Sequence, residues 1–152
     1  MRLTQNTLHN AQSHINTNGD RTLTLRSLQI PILEHLDTVG DVHDEIDLTD
    51  NDIRILGNFP ALLKVRSLLL AKNRVTAIQD DISAQVPQLQ SLSLLSNNIS
   101  SLNALAPLRH LQHLKCLYLA DNQVTKIDNY RLAIIWLLPQ LQILDFQKIK
   151  AL

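Results

Sequence analysis

His110, His113 and Cys116 stand in an H-x2-H-x2-C array, and imidazole and thiolate at such short intervals are side chains from which zinc sites are built. A fourth ligand is lacking. Leu111 and Leu114 hold the apolar phase here, which leaves His110 and His113 on a solvent-facing turn while Cys116 enters a strand. Asp44, Glu45 and Asp47 gather three carboxylates that could bind a cation, although acid-rich stretches of this kind are more often solvated loops. The glycines are Gly19, Gly40 and Gly57, too scattered for a phosphate-cradling loop, and no nucleophile has a recognisable base and orienter. These residues point to a non-enzyme with no metal and no cofactor.

The elements that would carry those residues come from a repeat. Asn51, Asn73, Asn97 and Asn122 follow one another at separations of 22, 24 and 25 residues, inside the leucine-rich-repeat period of about 20 to 29. Each lies in an L-x-x-L-x-L-x-x-N frame: Val65, Leu68, Leu70, Asn73; Leu89, Leu92, Leu94, Asn97; Leu114, Leu117, Leu119, Asn122. Ile46, Leu48, Asn51 and Ile53 repeat it with His43 in place of the first leucine. Leu23, Leu25, Leu28 and Ile30 precede the series, and Leu141, Leu144, Phe146 and Ile149 follow it, for about six repeats. Alternation in the x-L-x-L-x portion predicts short parallel strands with leucines inward. The Asn series predicts a structural ladder, each amide bonding backbone groups of its own turn and of the next repeat, with Asn98 left facing solvent. The fold expected is an α/β leucine-rich-repeat solenoid with a curved parallel sheet of about six short strands.

Composition sets the limits. The chain has 152 residues, 45% hydrophobic and only 3% aromatic, with 31 leucines, so the core must be aliphatic. One domain over 1–152 is expected: an N-terminal cap over 1–20, repeats over 21–128, and a last repeat with a C-terminal cap over 129–152. Lys+Arg and Asp+Glu number 14 each, so overall charge selects no nucleic-acid partner. The single Cys116 suits a reducing compartment, and no signal peptide or membrane-spanning run is legible, which favours a soluble protein of the cytosol or nucleus. For the N-terminal cap, Thr4 as N-cap with Leu8, Ala11 and Ile15 at helical spacing predicts an amphipathic helix near 5–16, ended by Asn18-Gly19. For the C-terminal cap, a helical run from Leu132 to Leu138 stops at Pro139, with Trp136 packed into the cap. Connections such as 105–114 are expected to be short helices or turns.

The ladder, together with "TLTLRSLQIPILEHL", "EIDLTDNDIRILGNFP" and "YRLAIIWLLPQLQILDFQKIK", resembles the A-prime family of the U2 small nuclear ribonucleoprotein from about Leu3 to Lys150. The joint occurrence of Leu28-Gln29-Ile30-Pro31, Asp50-Asn51-Asp52-Ile53-Arg54 and Leu144-Asp145-Phe146-Gln147-Lys148 makes the resemblance specific. Gln123 stands after Asn122 where many members have Pro, and members usually continue past the cap into a charged helical or disordered tail. The resemblance implies a nuclear splicing scaffold whose concave sheet grips a helix of the B-double-prime protein, an RNA-recognition-motif partner, the pair then binding a stem-loop of U2 small nuclear RNA.

Strand register supplies an independent expectation for that surface. Its outward positions are read as Thr22, Thr24, Arg26, Glu45, Asp47, Thr49, Asp50, Ser67, Leu69, Lys72, Ser91, Ser93, Leu95, Ser96, Cys116, Tyr118 and Asp121. Partner contacts are assigned to Thr24, Arg26, Glu45, Asp47, Thr49, Asp50, Ser67, Leu69, Lys72, Ser93, Leu95 and Tyr118, with Tyr118 as the main anchor. Asp37 to Asp52 holds seven acids and no Lys or Arg, an acidic face suited to a basic helix and unfavourable to phosphate. Arg2, Arg21 and Arg26 are the candidates to approach RNA held mainly by the partner. The competing reading is a leucine-rich-repeat regulatory subunit of a protein phosphatase, which would use the same face.

Overall fold

The computed structural model describes residues 1–150. Its first half runs α1 (Gln5–His9), β1 (Gln12–Ile15), β2 (Arg21–Thr24), a 3-10 turn at Leu36–Val39, β3 (Glu45–Asp47), β4 (Ile55–Leu56), β5 (Ser67–Leu69) and β6 (Ala77–Ile78). The second half runs α2 (Ile82–Gln85), β7 (Ser91–Ser93), a 3-10 helix at Asn103–His110, β8 (Cys116–Tyr118), a 3-10 turn at Gln123–Lys126, α3 (Tyr130–Leu137), β9 (Ile143–Leu144) and β10 (Gln147–Lys148). β2, β3, β5, β7, β8 and β9 pair in parallel, in that order, with β1 and β10 added antiparallel at the two ends. β4 and β6 form a separate parallel pair. This is the leucine-rich-repeat architecture.

Register stacks Leu23, Ile46, Leu68, Leu92, Leu117 and Leu144 in one column, all buried. A second column of Leu25, Leu48, Leu70, Leu94 and Leu119 is fully buried beside it. Each such side chain withdrawn from water contributes roughly 1.5–3 kcal/mol, so these columns hold the repeats together.

Beyond each strand the chain turns inward through a left-handed residue: Ser27, Asp50, Lys72, Ser96 and Asp121 all have φ between 56° and 62°. These positions therefore leave the strand, and Asp50, Lys72, Ser96 and Asp121 are turn residues rather than the strand positions predicted. The hydroxyls of Ser27 and Ser96 donate to Asp50 and Asp121, each at 2.8 Å, linking successive turns.

The ladder follows at once. Nδ2 of Asn73 donates to the carbonyls of Leu48 and Leu70, and its Oδ1 accepts from the N–H of Ile53. Asn97 reaches Leu70 and Val75, and Asn122 reaches Leu94, Leu119 and Ile99. Each Asn thus ties its own turn to the preceding repeat, not to the next one as predicted. Asn98 is exposed. After Asn122 the chain takes the 3-10 turn Gln123–Lys126, whose Thr125 hydroxyl bonds the Asn122 carbonyl at 2.7 Å, in place of a strand like β6.

Both ends depart from expectation. Thr4 does cap α1, its hydroxyl accepting from Thr7 N–H at 3.1 Å, but the helix stops at His9. Residues 12–15 instead form β1, hairpinned onto β2 through the Asn16–Asp20 turn, and Ile15 is 65% exposed. A helix there would leave the edge of β2 unpaired, whereas the hairpin satisfies it. At the other end α3 buries Ile134 and leaves Trp136 84% exposed, so Trp136 does not pack the cap. The cap is closed by Asp145 instead. Its Oδ1 accepts from the N–H groups of Leu119 and Ala120, its Oδ2 accepts from the Tyr130 hydroxyl at 2.6 Å, and Arg131 donates to the Leu144 and Gln147 carbonyls. Burial and the adjacent carboxylate raise the Tyr130 phenol far above its ordinary range, which keeps it a donor.

His43, which replaces the first leucine of its repeat, is buried, with Nε2 2.8 Å from Ser13 Oγ on β1. Burial lowers its pKa below the ordinary 6.5, Arg21 lowers it further, and Asp44 opposes them. The unfolded chain therefore takes up this proton before the folded one. Stability is lost as pH falls from about 6.5 towards the lowered folded value, and His43 causes no further loss below that. In melting curves at about pH 7.5 and about pH 5.5, His43→Leu is expected to lose less stability on acidification than wild type. Equal losses would remove His43 as a cause.

Candidate protein-binding face

The register that sends the leucines inward sends two other columns to the opposite, concave side. One is Thr22, Glu45, Ser67, Ser91, Cys116 and Ile143; the other is Thr24, Asp47, Leu69, Ser93 and Tyr118. Arg26, Thr49 and Leu95 follow just beyond the strand ends.

At the N-terminal end this surface is polar and internally knitted. The Glu45 carboxylate accepts from the hydroxyls of Thr22 and Ser67, each at 2.9 Å, and from Asn16 Nδ2 at 3.4 Å. Asp47 is only 6% exposed; it accepts from Thr49 N–H, and the Arg26 guanidinium lies 3.6 Å away. Thr22 and Ser93 are likewise buried although they face the concave side.

The acidic run does not present one acidic face. Glu45 and Asp47 reach the concave columns, and Asp50 sits in the turn beside them. Asp41 accepts from the N–H groups of Leu63 and Lys64, before β5. Asp44 holds Arg21 N–H and approaches Arg66 at 3.4 Å, while Asp52 approaches Arg74 at 3.6 Å. Asp37 lies in the 3-10 turn before β3. Two-residue side-chain alternation holds only inside a strand, so the carboxylates outside β3 fan out to stitch neighbouring repeats.

Towards the C-terminal end the face becomes apolar. Leu69, Leu95 and Tyr118 are half-buried, with small Ser67, Ser91 and Ser93 between them. Burial raises the pKa of the Tyr118 phenol, with the neighbouring Cys116 adding to the effect. Phe146 completes this end: it is 70% exposed, and its ring centroid lies 4.7 Å from that of Tyr118 at 41°. The repeat frame placed Phe146 inward. Asp145 and Phe146 both take positive φ, 49° and 68°, where Asp145 turns its carboxylate to the N–H groups of Leu119 and Ala120, and the Phe146 ring lies outward. Residue type carried no signal for this, because Asp47 follows Ile46 in the same register and stays in β3; what sets Asp145 apart is its bonds to the N–H groups of Leu119 and Ala120. Gln12 and His14 were missed too; β1 pairs them with Thr24 and Thr22, and His14 Nδ1 is 3.1 Å from Thr24 Oγ1.

The three arginines assigned to RNA meet different neighbours. Arg2 makes a two-pronged contact with Glu34 at 2.8 and 3.0 Å, Arg21 borders His43 and Val42, and Arg26 faces Asp47. His110 and His113 are exposed and Cys116 is half-buried in β8; no group of three or more His, Cys, Asp or Glu is placed to hold a metal among the described residues. No helix among the described residues is long and apolar enough to cross a membrane.

The leucine-rich-repeat family model matches residues 1–152. A chain of the crystal structure of the Drosophila melanogaster SNF/U2A′ complex superimposes with a TM-score of 0.96 at 39% identity, over 99% of this chain and 86% of that one. The chain belongs to the leucine-rich-repeat family of U2 small nuclear ribonucleoprotein A′ proteins. The A′ protein of Neurospora crassa is 45% identical over 150 residues and that of Homo sapiens 38%; each alignment covers 99% of this chain. The chain spans 59% of the length of each of these two relatives.

Proposed function

We propose that this A′-family chain is a non-catalytic scaffold of the nuclear splicing machinery. Its concave face takes a helix of an RNA-recognition-motif protein of the B-double-prime type, and the pair binds a stem-loop of U2 small nuclear RNA. The observation that carries the reading is the likeness to a chain of the SNF/U2A′ complex along nearly the whole chain. The geometry supports it in three ways. The concave columns are held by the inward leucines and the Asn ladder, so the scaffold loses little freedom on binding. The surface grades from the hydrogen-bonded Glu45 and Asp47 to the half-buried Tyr118 and the exposed Phe146, which suits a helix with a basic end and an apolar end. Thr24, Arg26, Thr49, Ser67, Leu69, Ser93 and Leu95 form the floor between, with Asp50 and Lys72 at the rim.

RNA contact through Arg2, Arg21 and Arg26 is secondary in this reading, since Arg2 and Arg26 already face carboxylates. Weak RNA binding alone and salt-sensitive binding by the pair are expected.

The test is a pull-down from nuclear extract with wild type and Leu95→Arg, reading protein and RNA together. Recovery of an RNA-recognition-motif protein with U2 RNA by wild type, and loss of both with Leu95→Arg, is expected. Recovery of a phosphatase catalytic subunit without U2 RNA would overturn the splicing reading in favour of the regulatory one.

A further inference from the structure

α3 has two apolar sides, and among the described residues the core uses only one. Ile134, and Leu138 just after the helix, are fully buried. Leu132, Ile135 and Trp136, at i, i+3 and i+4, turn the other way and line an open groove of about 670 Å³ with Pro139, Leu141 and Ile149. Leu132 is 63% exposed and Trp136 84%. Trp is among the residues most enriched at interface hot spots, and here it stands exposed on an apolar stripe.

The charge at this groove has one sign. Lys148 and Lys150 border it, and no Asp or Glu is among the described residues that line it. We propose that this groove, at the C-terminal end of the solenoid, docks an acidic amphipathic helix of a second protein partner. The helix lays its apolar stripe on Leu132, Ile135 and Trp136 and sets its carboxylates towards Lys148 and Lys150. The lining is largely aliphatic with two cations, whereas a nucleic-acid strand needs a continuous basic track. The site uses none of the concave columns' floor residues, so it stands whether or not the proposed function does.

Trp136 is the only tryptophan of the chain, which makes its emission a direct reporter. The probe is a synthetic helix without Trp, carrying Leu at i, i+3, i+4 and i+7 and Glu elsewhere, compared with the same helix carrying Lys for Glu. The acidic helix is expected to shift Trp136 emission to shorter wavelength in a saturable titration that weakens with salt, and to bind about tenfold or more tighter than the basic one. With a fluorescein-labelled acidic helix, Trp136→Ala and Leu132→Ala are expected to weaken binding about tenfold while both variants stay folded, because both side chains are exposed. Lys148→Glu with Lys150→Glu is expected to reverse the preference between the two helices. Emission unmoved by the acidic helix, an equal response to both helices, or a response to an RNA hairpin but not to the acidic helix would each overturn the proposal.

Discussion

Asn51→Ala is expected to cost about 3 kcal/mol or more, against about 1–3 kcal/mol for Asn73→Ala, although both remove a buried amide of the same ladder. The difference follows from who else serves the same backbone groups. Asn51 alone holds the N–H groups of Leu28 and Ile30 and the carbonyl of Leu25, while the Leu48 carbonyl is shared with Asn73. Removing Asn73 leaves Leu48 to Asn51 and Leu70 to Asn97, so the main orphan is Ile53 N–H. Asn122, at the other end, alone holds Leu94, Leu119 and Ile99, and Asn122→Ala should resemble Asn51→Ala. Asn97 should resemble Asn73, since its carbonyl partners Leu70 and Leu95 are served by Asn73 and by Lys72 N–H. Urea unfolding of the four variants checks the order. Four equal losses would show that the amides act independently and not as a shared ladder.

Tyr118→Ala is expected to weaken the RNA-recognition-motif partner by about 2 kcal/mol or more, roughly thirtyfold in affinity. The side chain is half-buried on the concave face and lies against Phe146, so its loss removes one anchor and exposes the flank of the other. Phe146→Ala should have a smaller effect, and the double variant should lose less than the sum, because the two rings support each other. Titration calorimetry with the partner reads these values, with circular dichroism as the check on folding. Full affinity in the double variant would remove the aromatic pair from the interface.

The ladder was legible because an Asn recurring in phase with leucines has few other physical explanations: a buried amide must be bonded, and only a repeated turn offers the same bonds four times. The concave columns were legible for the same reason, since strand alternation fixes them once the leucines point inward. What failed lay where the repeat ends and a neighbour decides. Leu8, Ala11 and Ile15 suit a helix by spacing, yet residues 12–15 are claimed by the open edge of β2, and Asn18-Gly19 is also a hairpin signal. Phe146 fits the leucine frame by position and is displaced by Asp145, whose bonds to Leu119, Ala120 and Tyr130 come from residues far apart in sequence. The acidic run looked like one face because distance along the chain is short there, while turns carry Asp41, Asp44 and Asp52 to different neighbours.

The concave face can be interrogated without altering the chain at all. Cys116 is the only cysteine, half-buried in β8 between Ser91 and Ile143 on the proposed binding surface. Its reaction rate with a thiol reagent, measured for the free chain and then with a saturating RNA-recognition-motif protein of the B-double-prime type, is expected to fall severalfold as the partner helix covers the sheet. An unchanged Cys116 rate under conditions where the two proteins bind would place the partner elsewhere and contradict the concave-face mechanism.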